Sequence, residues 1–285
     1  MIAPIIAPGK KNHFVGQCIY CGSKDDLRAE HAMPESLFGD LILESASCRD
    51  CAVITGKFEG RYTGETIKPF RDFWKYPSKR TNKKRLSSFP MKLHRNNEII
   101  EINVSKDDYI PIIPLWELGH PEKFAHFPNV NGLKHGEARL IVFRTKNDVE
   151  VDEIRKRLNG DDISVEFKIY LNDFLRMIAK IGYCFAVAKY GLSQIKENYV
   201  LDGILGKSND LFRWVGSEGK QLLFEDAKSI DAQHFVTAGL DPDGTIGVKI
   251  KLFKNIETPE YIVLVGTVSD RYLAIMKCAG YPLGA

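Results

Sequence analysis

The chain has 285 residues, of which 44% are hydrophobic and 27% are charged, and its formal net charge is +3. These values are typical of a globular protein and exclude a disordered or fibrous chain. No apolar run approaches the roughly 18 residues that a membrane span needs. Residues 1–8 carry two prolines and no basic residue ahead of the apolar run, unlike a signal peptide. We therefore expect a cytoplasmic protein without a membrane partner.

Four of the six cysteines form two C-x-x-C pairs near the N-terminus, Cys18 with Cys21 and Cys48 with Cys51. A cytosolic chain rarely keeps structural disulfides, so the paired motifs indicate metal ligands rather than disulfides or a redox pair. Zn²⁺ favours four thiolates in a structural site, and each C-x-x-C pair can bring two sulfurs to one ion. The sequence therefore predicts one structural Zn²⁺ bound by all four cysteines.

Glu30, His31 and Pro34 lie between the two cysteine pairs, and Glu59 follows the second pair. In this order the motifs resemble the zinc-knuckle subgroup of the HNH endonuclease family, over about residues 15–65. The resemblance implies a ββα-metal fold, in which a β-hairpin bearing the general base packs on a helix bearing a metal ligand. It implies that His31 is that base and that Glu30 binds a catalytic Mg²⁺ or Mn²⁺. Glu59 is our candidate for the second ligand, because the helix should begin near residues 55–59.

Ala52 departs from the family pattern, which has Asn directly after the fourth cysteine, where its side chain braces the loop that carries the histidine. Alanine has no donor or acceptor and cannot replace that bracing. Three interpretations stay open. The chain is a variant that uses Glu59 and other bracing, it is a catalytically inactive module that binds nucleic acid, or position 52 carries an engineered inactivating change.

Residues 66–95 contain ten basic side chains and one acidic side chain, so the net charge of +3 divides into +9 for this stretch and −6 for the remainder. Such a stretch indicates a polyanionic partner. The aromatic side chains among these charges would stack on bases or anchor the segment. The residues predicted to bind the phosphates of a nucleic acid, with DNA favoured over RNA, are Lys79, Arg80, Lys83, Lys84 and Arg85.

From residue 98 onwards the hydrophobic patterns predict a larger α+β domain. Strands are predicted over residues 98–104, 109–115, 137–144 and 162–170. Further strands are predicted on both sides of a turn at Asp241, within residues 235–268. Helices are predicted over residues 149–158, 171–188 and 194–205. Cys184 lies beside the apolar face of the long helix and is expected to pack in the core. The predicted domains are residues 1–65, a basic connector of residues 66–97, and residues 98–285.

These patterns together predict a metal-dependent endonuclease that hydrolyses phosphodiester bonds in DNA. The resemblance extends this function to restriction or phage defence. The C-terminal domain would recognise a substrate, a partner or a second copy of the chain. The alternative function is a catalytically inactive zinc module that binds nucleic acid.

Overall fold

The computed structural model describes residues 12–76, 86–218, 234–253 and 257–279. Within these residues the fold is α+β, as predicted, with six α-helices and several small sheets. The helices are α1 (Arg49–Arg61), α2 (Lys68–Phe73), α3 (Asp148–Arg157), α4 (Leu171–Tyr190), α5 (Leu201–Leu205) and α6 (Asp270–Cys278). None of the helices in the described part of the chain has the length and apolar character needed to cross a bilayer.

The N-terminal module is built from β1 (Asn12–Phe14), β2 (Arg28–His31) and β3 (Ile42–Ser47), followed by α1. β3 is the central strand, and it pairs in parallel with β1 and antiparallel with β2. The register between β2 and β3 shifts between Arg28 and Glu30, where β3 carries extra residues that include Ser45 at a φ of +50°. β2, β3 and α1 therefore form the strand–strand–helix order that the resemblance implies, but the helix begins at Arg49 and not near residues 55–59 as expected.

The largest sheet has five strands in the described residues, and α4 lies across it. Its order is β10-β13-β12-β11, with β9 paired to the other end of β13. Its strands are β9 (Ile195–Asn198), β10 (Val215–Glu218), β11 (Phe235–Leu240), β12 (Thr245–Lys251) and β13 (Glu260–Val268). α4 contacts this sheet on one side and α1 on the other, so it is buried along most of its length. One apolar core consequently runs from the N-terminal module through α4 into the sheet.

A second, smaller core lies beneath a three-stranded sheet of order β5-β4-β8, which α3 covers. The strands are β4 (Phe89–Arg95), β5 (Glu98–Val104) and β8 (Asp162–Ser164). A separate two-stranded ribbon consists of β6 (Ile112–Leu118) and β7 (Ala138–Arg144). An Asn147 capping box begins α3, because the Asn147 side chain accepts from the Glu150 amide while the Glu150 side chain accepts from the Asn147 amide.

The strongly periodic segments follow the prediction closely. The predicted strand of residues 98–104 is β5, and the predicted helix of residues 171–188 is α4. Strands flank the turn at Asp241, where the Asp241 amide donates to Thr245 and Gly244 has a φ of +87°. Cys184 is fully buried, so it packs in the core as expected. Burial raises the pKa of its thiol to about 12.

Two predicted elements differ from the structure in type because tertiary contacts override local propensity, and a third is displaced along the chain. Residues 165–170 do not continue β8, and the Lys168 carbonyl accepts a hydrogen bond from the Thr66 hydroxyl instead of joining a ladder. Residues 195–198 are not helical, because they pair with the edge of β13. The strand predicted over residues 109–115 is displaced by three residues and is β6.

The packing of α4 on the sheet can be tested at Gly182, where an added Cβ would lie 2.8 Å from the Cβ of Val263. Gly182→Ala should destabilise the protein by about 1–3 kcal/mol, because the helix must move off β13. Gly56→Ala in α1 is the control, since a Cβ there meets nothing within 4 Å. The control should be neutral or stabilising by up to about 1 kcal/mol in urea unfolding. An unchanged midpoint for Gly182→Ala would contradict the described packing.

Candidate metal and catalytic centre

The four cysteines of the two C-x-x-C pairs meet at the start of α1. Cys18 and Cys21 lie on the loop between β1 and β2, Cys48 is the residue before α1, and Cys51 is in its first turn. Their sulfur atoms all lie within 4.8 Å of one another, and the sulfurs of Cys21 and Cys48 are 3.6 Å apart. All four are free cysteines. The sequence prediction that these thiols converge on one point is therefore confirmed.

The spacing of these sulfurs suits a tetrahedral ion. Zn–S bonds of about 2.3 Å in a tetrahedron place the sulfurs roughly 3.8 Å apart. Burial by itself raises the pKa of Cys18, but the backbone N–H groups of Cys48, Cys21 and Tyr20 outweigh burial and lower it, which favours the thiolate. The pKa of Cys51 is raised, first by burial and then by the neighbouring sulfurs, a repulsion that a bound cation relieves. The cluster could thus hold a metal such as zinc.

The backbone around the first pair is held to the sheet by short hydrogen bonds. The Cys18 amide donates to Ser23 over 2.7 Å, and the Ile19 amide donates to Ala46 of β3 over 2.8 Å. Gly22 turns the loop at a φ of +76°, and its amide donates to the Cys18 carbonyl over 2.9 Å. The Ile19 contact attaches the cysteine loop to β3, the strand that leads directly into the second pair, and the other two bonds close the loop on itself.

Glu30, His31 and Glu59 converge on a side chain from elsewhere in the chain, Lys180 of α4. The Nζ atom of Lys180 lies 2.7 Å from Oε1 of Glu30 and 2.7 Å from Oε1 of Glu59. It also donates to the backbone carbonyl of His31. Glu30 is buried, His31 is half-buried, and Lys180 is completely inaccessible to solvent. The residues predicted for the catalytic site are therefore neighbours, with a lysine ammonium among them.

The charge of Lys180 is maintained by its two carboxylate neighbours. Burial alone would lower the pKa of Lys180, but Glu30 and Glu59 more than compensate, and the pKa is raised. The ammonium thus donates a hydrogen bond to the His31 carbonyl and forms ion pairs with Glu30 and Glu59. The cluster formed by Glu30, Glu59 and Lys180 has a formal charge of −1 with all three groups ionised.

Lys180 is absent from the residues that the sequence predicts for the site. The available signal is a single lysine between Ala179 and Ile181 on a helix that is otherwise apolar at this position. A fully buried lysine requires a partner. The pattern therefore predicts that some carboxylate faces it, but it does not identify Glu30 or Glu59, which lie more than a hundred residues earlier in the sequence.

The basic residues predicted to bind nucleic acid, Lys79, Arg80, Lys83, Lys84 and Arg85, lie outside the described residues. The aromatic residues just before them differ in burial. Phe70 and Tyr76 are buried in the main core, and Phe73 packs on Phe89 of the smaller core. Trp74 is half exposed. The segment before the basic residues is thus anchored to both cores.

Comparison with family models, with curated proteins and with solved structures gives no match for this chain.

Metal analysis of the purified protein should find one zinc per chain, held by the four cysteines. Cys48→Ser should lose the zinc and destabilise the module, because the metal supplies folding free energy to a small unit. Cys278→Ser is the control, since that thiol is exposed and lies on α6. A protein without zinc, or Cys48→Ser with unchanged zinc content and thermal unfolding, would contradict the assignment.

Proposed function

We propose that this chain is a metal-dependent endonuclease of the HNH type that hydrolyses phosphodiester bonds, with DNA as substrate. The observation that carries the proposal is the convergence of Glu30 and His31, at the end of β2, with Glu59, on the helix α1 whose first turn carries one residue of the cluster of four cysteines. The order of these elements is the strand–strand–helix order that the motif resemblance implies.

The residue types suit the chemistry. Hydrolysis requires a base that takes a proton from water as the water oxygen bonds to phosphorus and the bond to the leaving oxygen breaks. A neutral imidazole can accept that proton near pH 7, and His31 is assigned this role. Glu30 and Glu59 would hold Mg²⁺ or Mn²⁺, which when bound supplies positive charge for the phosphate and the leaving oxygen.

Lys180 limits how the two carboxylates can act. Each carboxylate contacts the ammonium through Oε1, so a divalent ion would share the two carboxylates with Lys180. The formal charge of −1 that remains on the cluster formed by Glu30, Glu59 and Lys180 still attracts a cation.

The same contact favours a second candidate function, a catalytically inactive zinc module that binds nucleic acid. If Lys180 is the sole cation that Glu30 and Glu59 bind, no carboxylate pair is left for a catalytic metal. Ala52 also favours the inactive module, because its methyl group cannot form the hydrogen bonds of the asparagine in the family pattern. The two candidates differ in one property, cleavage that depends on a divalent metal and on His31.

Supercoiled plasmid incubated with the zinc-loaded protein and Mg²⁺ or Mn²⁺ should be nicked or linearised. His31→Ala should lower the rate by roughly 10²–10⁴-fold while zinc content and DNA binding are retained. His126→Ala is the control, because His126 is an exposed histidine of the same chain. Ala52→Asn, assayed in parallel, tests whether position 52 limits the activity.

Equal cleavage by His31→Ala and the unmodified protein would exclude the proposed base. Absence of cleavage in every metal, by both the unmodified chain and Ala52→Asn, combined with salt-dependent DNA binding, would favour the inactive module.

Affinity for nucleic acid should depend on the basic stretch. Replacing Lys79, Arg80, Lys83, Lys84 and Arg85 together by glutamine should weaken DNA binding and reduce the slope of log affinity against log salt, because fewer counterions are released. Up to five lost phosphate contacts would reduce the slope by as much as about 4.5. Lys156→Gln and Lys207→Gln, at exposed lysines elsewhere, form the control. An unchanged slope in the fivefold variant would place the DNA contact elsewhere.

A further inference from the structure

We propose that Lys180 is the positioning residue that braces the end of β2 carrying His31, the role that the family pattern gives to the residue after the fourth cysteine. The effect of Lys180 on catalysis rests on the proposed function. The bracing itself rests on the contacts of Lys180 and can be tested without any activity.

Lys180 contacts the main chain of His31. The ammonium donates to the backbone carbonyl of His31, so it fixes the main chain at that residue rather than the imidazole ring. The same ammonium forms ion pairs with Glu30, the preceding residue of β2, and with Glu59 of α1. One ammonium therefore connects two successive residues of β2 to the helix packed beside it.

β2 is short, and its pairing with β3 is irregular at its start. It has four residues, and its register with β3 is interrupted between Arg28 and Glu30. Beyond its end, the Ala32 amide donates to the Leu41 carbonyl over 3.0 Å, and Pro34 then begins a short 3₁₀ turn. The regular pairing is therefore limited to Glu30, His31 and Ala32, and the Lys180 contact adds a restraint at this end of the strand.

α4 also contacts the N-terminal module at positions that neighbour Lys180 on the same helix. One turn beyond Lys180, the Tyr183 hydroxyl donates to the Ile19 carbonyl, and the Cys184 sulfur lies 3.5 Å from the Tyr20 hydroxyl. Both contacts reach the loop that carries the first cysteine pair. α4 thus fixes the end of β2 and the cysteine loop against each other, although it lies about 150 residues further along the chain.

The test compares Lys180→Met with Lys189→Met in the full-length, zinc-loaded protein. Lys189 is a matched control, because it lies on the same helix and also donates to a backbone carbonyl, that of Ala238. Hydrogen–deuterium exchange of peptides covering residues 28–34 should become at least about tenfold faster in Lys180→Met, since a charge-assisted hydrogen bond is lost. Peptides from β12 and β13 should be accelerated less than those covering residues 28–34, and zinc should remain at one per chain. Lys189→Met should leave residues 28–34 unchanged.

In the cleavage assay, Lys180→Met should lower kcat by roughly 10–10²-fold with KM unchanged, because the base is displaced while DNA binding is retained. A fall in kcat combined with a rise in KM would indicate a general structural role and overturn the proposal. If Lys180→Met does not fold, Lys180→Gln is judged by the same exchange measurement, since glutamine keeps a donor but loses the charge. It should give a smaller acceleration that is confined to residues 28–34.

Unchanged exchange at residues 28–34 in the folded variant would overturn the bracing role, whether or not the protein cleaves DNA. Faster exchange there in a protein that cleaves nothing would support the brace and reject the nuclease function. The two failures are therefore distinguishable.

Discussion

The ammonium of Lys180, buried between Glu30 and Glu59, is the interaction on which the geometry of the N-terminal site depends. Removing one partner of a buried ion pair typically costs about 3–5 kcal/mol, because the remaining charge is left without compensation. The three side chains are therefore coupled, and no one of them can be replaced without changing the environment of the others. Since Lys180 comes from α4, the site includes part of the C-terminal region as well as the N-terminal motifs.

The helix α1 connects the cysteine cluster with the cluster formed by Glu30, Glu59 and Lys180. Cys51 lies in its first turn and Glu59 near its last, eight residues later, which corresponds to about 12 Å along an α-helix. Because a helix of this length is rigid, the position of the cysteine cluster fixes the position of Glu59. A metal held by the cysteines would stabilise the start of the helix and, through it, the carboxylate that faces Lys180.

The sequence predicts those features that local spacing determines. The two C-x-x-C pairs indicate the sulfur cluster, and the apolar periodicity of residues 171–188 indicates α4, because both patterns are short-range and regular. The sequence does not predict Lys180 as a partner of His31, since that contact joins residues 149 positions apart. It also misassigns residues 195–198, whose strand exists only because β13 provides an edge for pairing. Pairing across the chain is a property of the folded structure, which local propensity does not encode.

The most direct test of the central claim, that Glu30, His31 and Glu59 form a catalytic metal site, is anomalous X-ray diffraction from crystals grown with Mn²⁺ and a short DNA duplex. Data collected at the zinc and manganese absorption edges separate the two metals. We predict zinc at the four cysteines and manganese in contact with the carboxylates of Glu30 and Glu59. The His31 imidazole should face the scissile phosphate. Zinc at the cysteines, with DNA bound and no manganese at the two carboxylates, would contradict this prediction.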